Sequence, residues 1–115
     1  MDGSSNREKR RYYRLEYPAA ERPTVRYKGR DYRVSEASEG GVKILLDRHR
    51  AVRVGQFFAG VIRFKDAGIV PIVGVVLRFD EREMVVKLTI GISFNRMMAE
   101  QRRIRQKYPM FFEKD

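Results

Sequence analysis

Hydrophobic and polar residues alternate along much of this chain with the period of two that suits a strand with one buried face. Thr24 to Lys28 and Tyr32 to Ser35 follow this pattern, with Val25/Tyr27 and Tyr32/Val34 as the inward residues. Lys28-Gly29-Arg30-Asp31 between them is a tight-turn signal, so the two segments predict a hairpin. Val42 to Leu46 reads as a third strand. Phe57 to Phe64 and Val70 to Phe79 are longer and rich in Val, Ile and Phe, as central strands are. Their aromatics Phe57, Phe58, Phe64 and Phe79 stand in apolar runs and are expected to be buried. Asp80-Glu81-Arg82-Glu83 then turns the chain into Met84 to Ile90. Short strands at this spacing predict a small antiparallel barrel or sandwich, and closure would remove the exposed sheet edges.

After Gly91 the period changes. Phe94, Met97, Met98, Ile104 and Tyr108 form an apolar stripe on a helix of about Asn95 to Lys107, expected to pack on the barrel. Ser93 or Asn95 can cap its start, and Pro109 stops it. Glu100, Arg102, Arg103 and Lys107 are assigned to its solvent face.

The 115 residues suit one domain, and no internal repeat is present. Cysteine is absent, which excludes disulfides and thiolate metal sites and fits a reducing cytoplasm. The longest apolar stretch, Ala67 to Leu77, is too short to span a bilayer and contains Pro71. Met1 to Asn6 has no apolar run for a signal peptide, so the expected location is cytoplasmic. These six residues are small and polar and are expected to be disordered. A net charge of +10 and a pI near 10.3 predict attraction to polyanions without choosing among them.

Nothing in the chain points to an enzyme. His49, the sole histidine, stands in the polar run Asp47-Arg48-His49-Arg50 and reads as an exposed loop residue. There is no metal-ligand spacing, no phosphate-cradling glycine loop and no nucleophile elbow. No cofactor is expected.

Two segments remain to be explained. In Arg10-Arg11-Tyr12-Tyr13-Arg14, the first and last arginines are four apart. A turn or short helix puts both guanidinium groups on one side, where planar forks can grip phosphates, bond a guanine edge or stack on a purine. Glu36-Ala37-Ser38-Glu39-Gly40-Gly41 offers a carboxylate, a hydroxyl and two glycines. The carboxylate can accept from the N1–H and amino group of guanine. Glycine admits a close ligand and positive φ.

Together the two segments resemble the paired signature of PilZ domains, RxxxR followed by [D/N]xSxxG. Arg10 and Arg14 match the arginines, Ser38 the serine and Gly41 the glycine, while Glu36 stands at the usual Asp/Asn position. The resemblance implies an all-β fold: a six- to seven-stranded antiparallel barrel over about 15–90, with a C-terminal α-helix over about 95–107. It makes 7–115 one domain with a basic arm at 7–14. It implies a cyclic di-GMP receptor in which Arg10 and Arg14 hold guanine edges and phosphates. Glu36, Ser38 and Gly41 would shape the pocket rim, with Lys9, Arg11 and Gly40 beside them. Glu36 carries its oxygens one methylene further out than Asp, which would weaken binding by about one to two powers of ten. Tyr12 and Tyr13 would anchor the arm or stack on a base. Ligand would order the arm and change the surface offered to a downstream protein partner. The alternatives are a nucleic-acid-binding barrel of the OB or cold-shock kind, and a PilZ-like adaptor without ligand. Burial of the strand aromatics would count against the first, and retention of Arg10, Arg14, Ser38 and Gly41 against the second.

Overall fold

The computed structural model describes residues 14–46, 52–66 and 68–112. Lys9, Arg10, Arg11, Tyr12, Tyr13 and His49 lie outside this set. The strands are β1 (Leu15–Glu16), β2 (Thr24–Tyr27), β3 (Arg30–Ser38), β4 (Gly41–Leu45), β5 (Phe57–Arg63), β6 (Ile69–Asp80) and β7 (Glu83–Ile90). Helix α1 spans Phe94–Lys107. The strands pair antiparallel in the order β3-β2-β5-β6-β7-β4, and β4 returns to β3 to close a six-stranded barrel. The short β1 adds to β3, with Leu15 opposite Ala37 and Glu16 opposite Glu36.

The first hairpin is tighter than the sequence suggested. Lys28 and Gly29 alone form the bend, with φ of 51° and 78°. Positive φ at both central residues gives the twist that two-residue hairpins favour. Arg30 and Asp31, expected in the turn, therefore begin β3 and pair with Tyr27 and Arg26. That strand runs on to Ser38, three residues past the expected end. Its first half pairs with β2, and its second half lies between β1 and β4.

Inside the barrel the alternation holds. Val25, Val34, Ile44, Phe58, Ile62 and Ile72 are fully buried, and Phe58 stacks on Tyr27 with ring centroids 4.3 Å apart. Burying each of these large side chains contributes about 1.5–3 kcal/mol. Tyr32 is only partly buried against this core. Two of the four strand aromatics depart from expectation: Phe57 is 64% exposed and Phe79 39%. Adjacent strand residues face opposite ways, so with Phe58 inside, Phe57 must point out. Phe79 pairs with buried Met84 but stands one residue from the end of β6, where little beyond it covers the ring.

Helix α1 is capped by Ser93, whose side chain accepts from the Arg96 N–H at 3.0 Å. Met97 and Ile104 pack on the barrel as expected, while Phe94 is 60% exposed. The larger correction is Glu100, assigned to solvent from its charge and found completely buried. Its spacing of three and four from Met97 and Ile104 puts it on their face. Tyr17, just past β1, donates its hydroxyl to Glu100 Oε1 at 2.7 Å, and Arg103 reaches the same oxygen at 3.1 Å. Arg103 also donates to buried Glu21 at 2.6 Å, joined there by Lys107 at 2.8 Å and the Tyr108 hydroxyl at 3.0 Å. Burial, then the Glu100 charge, pushes the Tyr17 phenol well above its ordinary range. The bonds from Lys107 and Arg103, working against burial, bring Glu21 down to about 2. This network fastens the segment after β1 to the C-terminal helix.

Candidate ligand-binding groove

The β3–β4 hairpin turns at Glu39 and Gly40, with Ser38 paired to Gly41 across the bend. Ser38 ties the bend together. Its Oγ accepts from the Gly40 N–H at 3.3 Å and donates to the Gly41 carbonyl at 3.4 Å, and the residue is 8% exposed. Gly41 serves a different need from the positive φ that the sequence suggested. Its φ lies outside the left-handed region, but a Cβ there would sit 3.1 Å from the Val86 carbonyl oxygen of β7. Glycine lets the two strands close up.

Beside this hairpin an open groove of about 200 Å³ runs across β4, β7 and the end of β6. Arg14, Glu36, Ser38, Gly41, Lys43 and Lys87 line it, with Arg78 at the β6 side. Strand pairing builds the far wall, since Gly41 lies opposite Lys87 and Lys43 opposite Val85. Four cations and one carboxylate therefore face the same space.

Glu36 pairs with two of these cations. Its side chain is 17% exposed, with Oε2 3.5 Å from the Arg14 guanidinium and Oε1 3.5 Å from Lys43 Nζ. Arg14 itself is 68% exposed and lines the groove. Chemically, such a set of donors can hold an anion with planar parts, through charge-assisted bonds to phosphate and pairing or stacking of a guanidinium plane with a base. The carboxylate also competes with any incoming phosphate for Arg14 and Lys43.

Of the residues singled out from sequence, Arg14, Glu36, Ser38, Gly40 and Gly41 all line this one groove. Arg10, Lys9 and Arg11 lie outside the described residues. Sequence reasoning missed Lys43, Arg78 and Lys87. Alternation marks Lys43 as an outward residue of its strand, but only the β4–β7 pairing brings Lys87 to it. Among the described residues no group of His, Cys, Asp or Glu could hold a metal ion. No helix among them is long and apolar enough to cross a membrane.

The chain is thus a closed six-stranded barrel with a basic surface groove where its second hairpin meets Arg14. Residues 8–108 match the PilZ domain family, and the chain belongs to it. Members of that family are receptors or adaptors. No curated protein matches the chain. Among solved structures it is similar to the inhibitor of motility MotI/DgrA of Bacillus subtilis, with TM-score 0.64, 16% identity, and coverage of 88% of this chain and 52% of that one. The Legionella protein Lpg0364 gives TM-score 0.60 and 14% identity, covering 85% and 99%. YcgR of Escherichia coli, solved in complex with c-di-GMP, gives 0.59 and 14%, covering 86% and 49%. The chain thus spans about half the length of the first and third.

Proposed function

We propose that this protein is a cyclic di-GMP receptor whose site is the groove beside the β3–β4 hairpin. The observation that carries the reading is the meeting of both halves of the paired signature: the Arg14 guanidinium lies 3.5 Å from Glu36, four residues before Gly40 turns the chain toward Gly41. The groove's excess of cations supports a doubly charged ligand, and the c-di-GMP complex of YcgR, on the same fold, supports its identity. Arg10 and Arg14 hold phosphates and guanine edges; Glu36, Ser38 and Gly41 form the rim, with Lys9, Arg11 and Gly40 adjoining. The receptor is one domain over 7–115 and works in the cytoplasm without a catalytic step or cofactor.

Signalling follows from charge. Arginines held close together repel, so ordering the arm without an anion is costly, and two phosphates offset that cost. Ligand folds the arm onto the barrel and changes what a downstream protein meets. Amide exchange across residues 6–16 is expected to slow on adding ligand; unchanged exchange would overturn this arm-ordering step.

Calorimetric titration with cyclic di-GMP tests the site. Each of Arg10→Ala and Arg14→Ala removes charge-assisted bonds worth about 1.5–3 kcal/mol, a loss of roughly 10- to 100-fold in affinity. Unchanged affinity in both would sink the assignment. The exposure of Phe57 and Phe79 removes one argument against nucleic-acid binding. Titration with single-stranded DNA at low and high salt covers that reading, and steeply salt-dependent binding tighter than that of the dinucleotide would favour it.

A further inference from the structure

The outward positions are apolar from Phe57 to Val61 on β5 and from Ile69 to Leu77 on β6. Phe57 faces Val75, Ala59 faces Val73 and Val61 faces Pro71 across the two strands. Ile69 prolongs the row at one end and Leu77 at the other; both are large and exposed, at 57% and 44%. Seven residues of strand make this ladder about 20 Å long. Its exposed large side chains present on the order of 400 Å² of apolar surface, the range in which a monomer's largest patch is often functional. Most exposed large hydrophobics of the barrel gather here.

The borders of the ladder are basic. Arg26 of β2 lies opposite Val61, Arg63 opposite Ile69, and Lys87 of β7 opposite Val75. Arg26 is neutralised by Asp31 at 2.9 Å. Among the described residues no carboxylate pairs with Arg63 or Lys87. We propose that the β5–β6 wall is the docking surface for a protein partner whose contact face is apolar at its centre and acidic at its margins. This goes beyond the ligand reading and holds whether or not the groove takes a dinucleotide.

Charge and area select this occupant. A second copy would bring two chains of +10 together with basic rims opposed. The apolar area is also far below the 2,000 Å² or more that obligate dimers bury. As the centre of a standard interface of about 800 Å² per partner it is ample, with the basic rim supplying the rest. A bilayer is the less suitable partner. Short Val, Ala and Pro side chains make up most of the ladder and Phe57 is its one aromatic, whereas a face that enters a bilayer carries several large aromatic or leucine side chains.

The test places a photo-crosslinking benzoylphenylalanine at Val61, or at Phe57, of the full chain in the cells that make it. Irradiation is expected to give a discrete adduct with another protein, and none from Arg102 on the exposed side of α1. That protein, purified, is expected to bind Val61→Glu and Ile69→Glu at least tenfold more weakly than the unaltered chain. Raising NaCl from about 50 to about 500 mM should weaken the complex severalfold. Both substituted side chains are exposed, so thermal melting should be unchanged, and the crosslinking arm needs neither variant. The proposal is overturned if neither position gives an adduct, or if the adduct protein binds both variants as well as the unaltered chain. It is also overturned if sedimentation shows the wall joining two copies. Sedimentation with phosphatidylcholine–phosphatidylglycerol vesicles that is lost in Val61→Glu would equally overturn it, assigning the wall to lipid.

Discussion

Tyr17→Phe removes one oxygen atom and leaves the packing volume almost unchanged. That oxygen donates at 2.7 Å to the Oε1 of Glu100, a carboxylate with no exposure to solvent. A hydrogen bond to a charged group is worth about 1.5–3 kcal/mol, and water cannot replace this one. Arg103 still reaches Oε1 at 3.1 Å and Oε2 at 3.3 Å, so the carboxylate is not orphaned. The expected loss is therefore near the middle of the range, about 2 kcal/mol. For a chain of 115 residues that lowers Tm by roughly 8 °C. Urea unfolding followed by circular dichroism reads the loss as a shifted midpoint with an unchanged slope. Tyr108→Phe is the control. Its hydroxyl shares a Glu21 oxygen with Lys107 and is only partly buried, so its loss should cost under about 1 kcal/mol. A Tyr17→Phe effect below about 0.5 kcal/mol, or one no larger than the control, would refute the claim that this bond anchors the helix to the segment after β1.

The remaining predictions concern acid, the hairpin and the groove. Glu21 is held near 2 against an ordinary 4.5, so its contribution is fully present above pH 4.5 and is lost as pH falls from there through 2. With a discount for exposed Lys107, that contribution is on the order of 2 kcal/mol; acid titration of stability should show it, and Glu21→Gln should remove it. Gly41→Val would drive a side chain against the Val86 carbonyl, costing about 1–3 kcal/mol by melting and weakening cyclic di-GMP binding in calorimetry. Glu36→Asp shortens the carboxylate by one methylene and should raise affinity about tenfold; an equal or weaker Kd would mean that Glu36 already fits its task.

The barrel was legible where alternation and burial agree. Val25, Tyr27 and Val34 faced inward as their spacing required, and the bends at Gly29 and Glu81 fell inside the expected turns. Errors arose where one residue's character outweighed its place in the pattern. Glu100 was read from its charge, although its spacing from Met97 and Ile104 placed it on the buried face. Phe57 was read from its apolar run, although Phe58 could not point inward without turning it out. The charged groove residues beside the signature serine and glycine differ in how far sequence could reach them. Arg14 and Glu36 were found through their motif, whereas Arg78 and Lys87 come to the groove through strand pairing that local sequence does not encode.

The site assignment is tested most directly by an amide NMR titration of the isotopically labelled chain with cyclic di-GMP. The largest shifts are expected at Glu36, Ser38, Gly41, Lys43 and Lys87, with Arg10 and Arg14 gaining protected amides. Saturating ligand that leaves these signals unmoved, or moves only those of the β5–β6 wall, would contradict it.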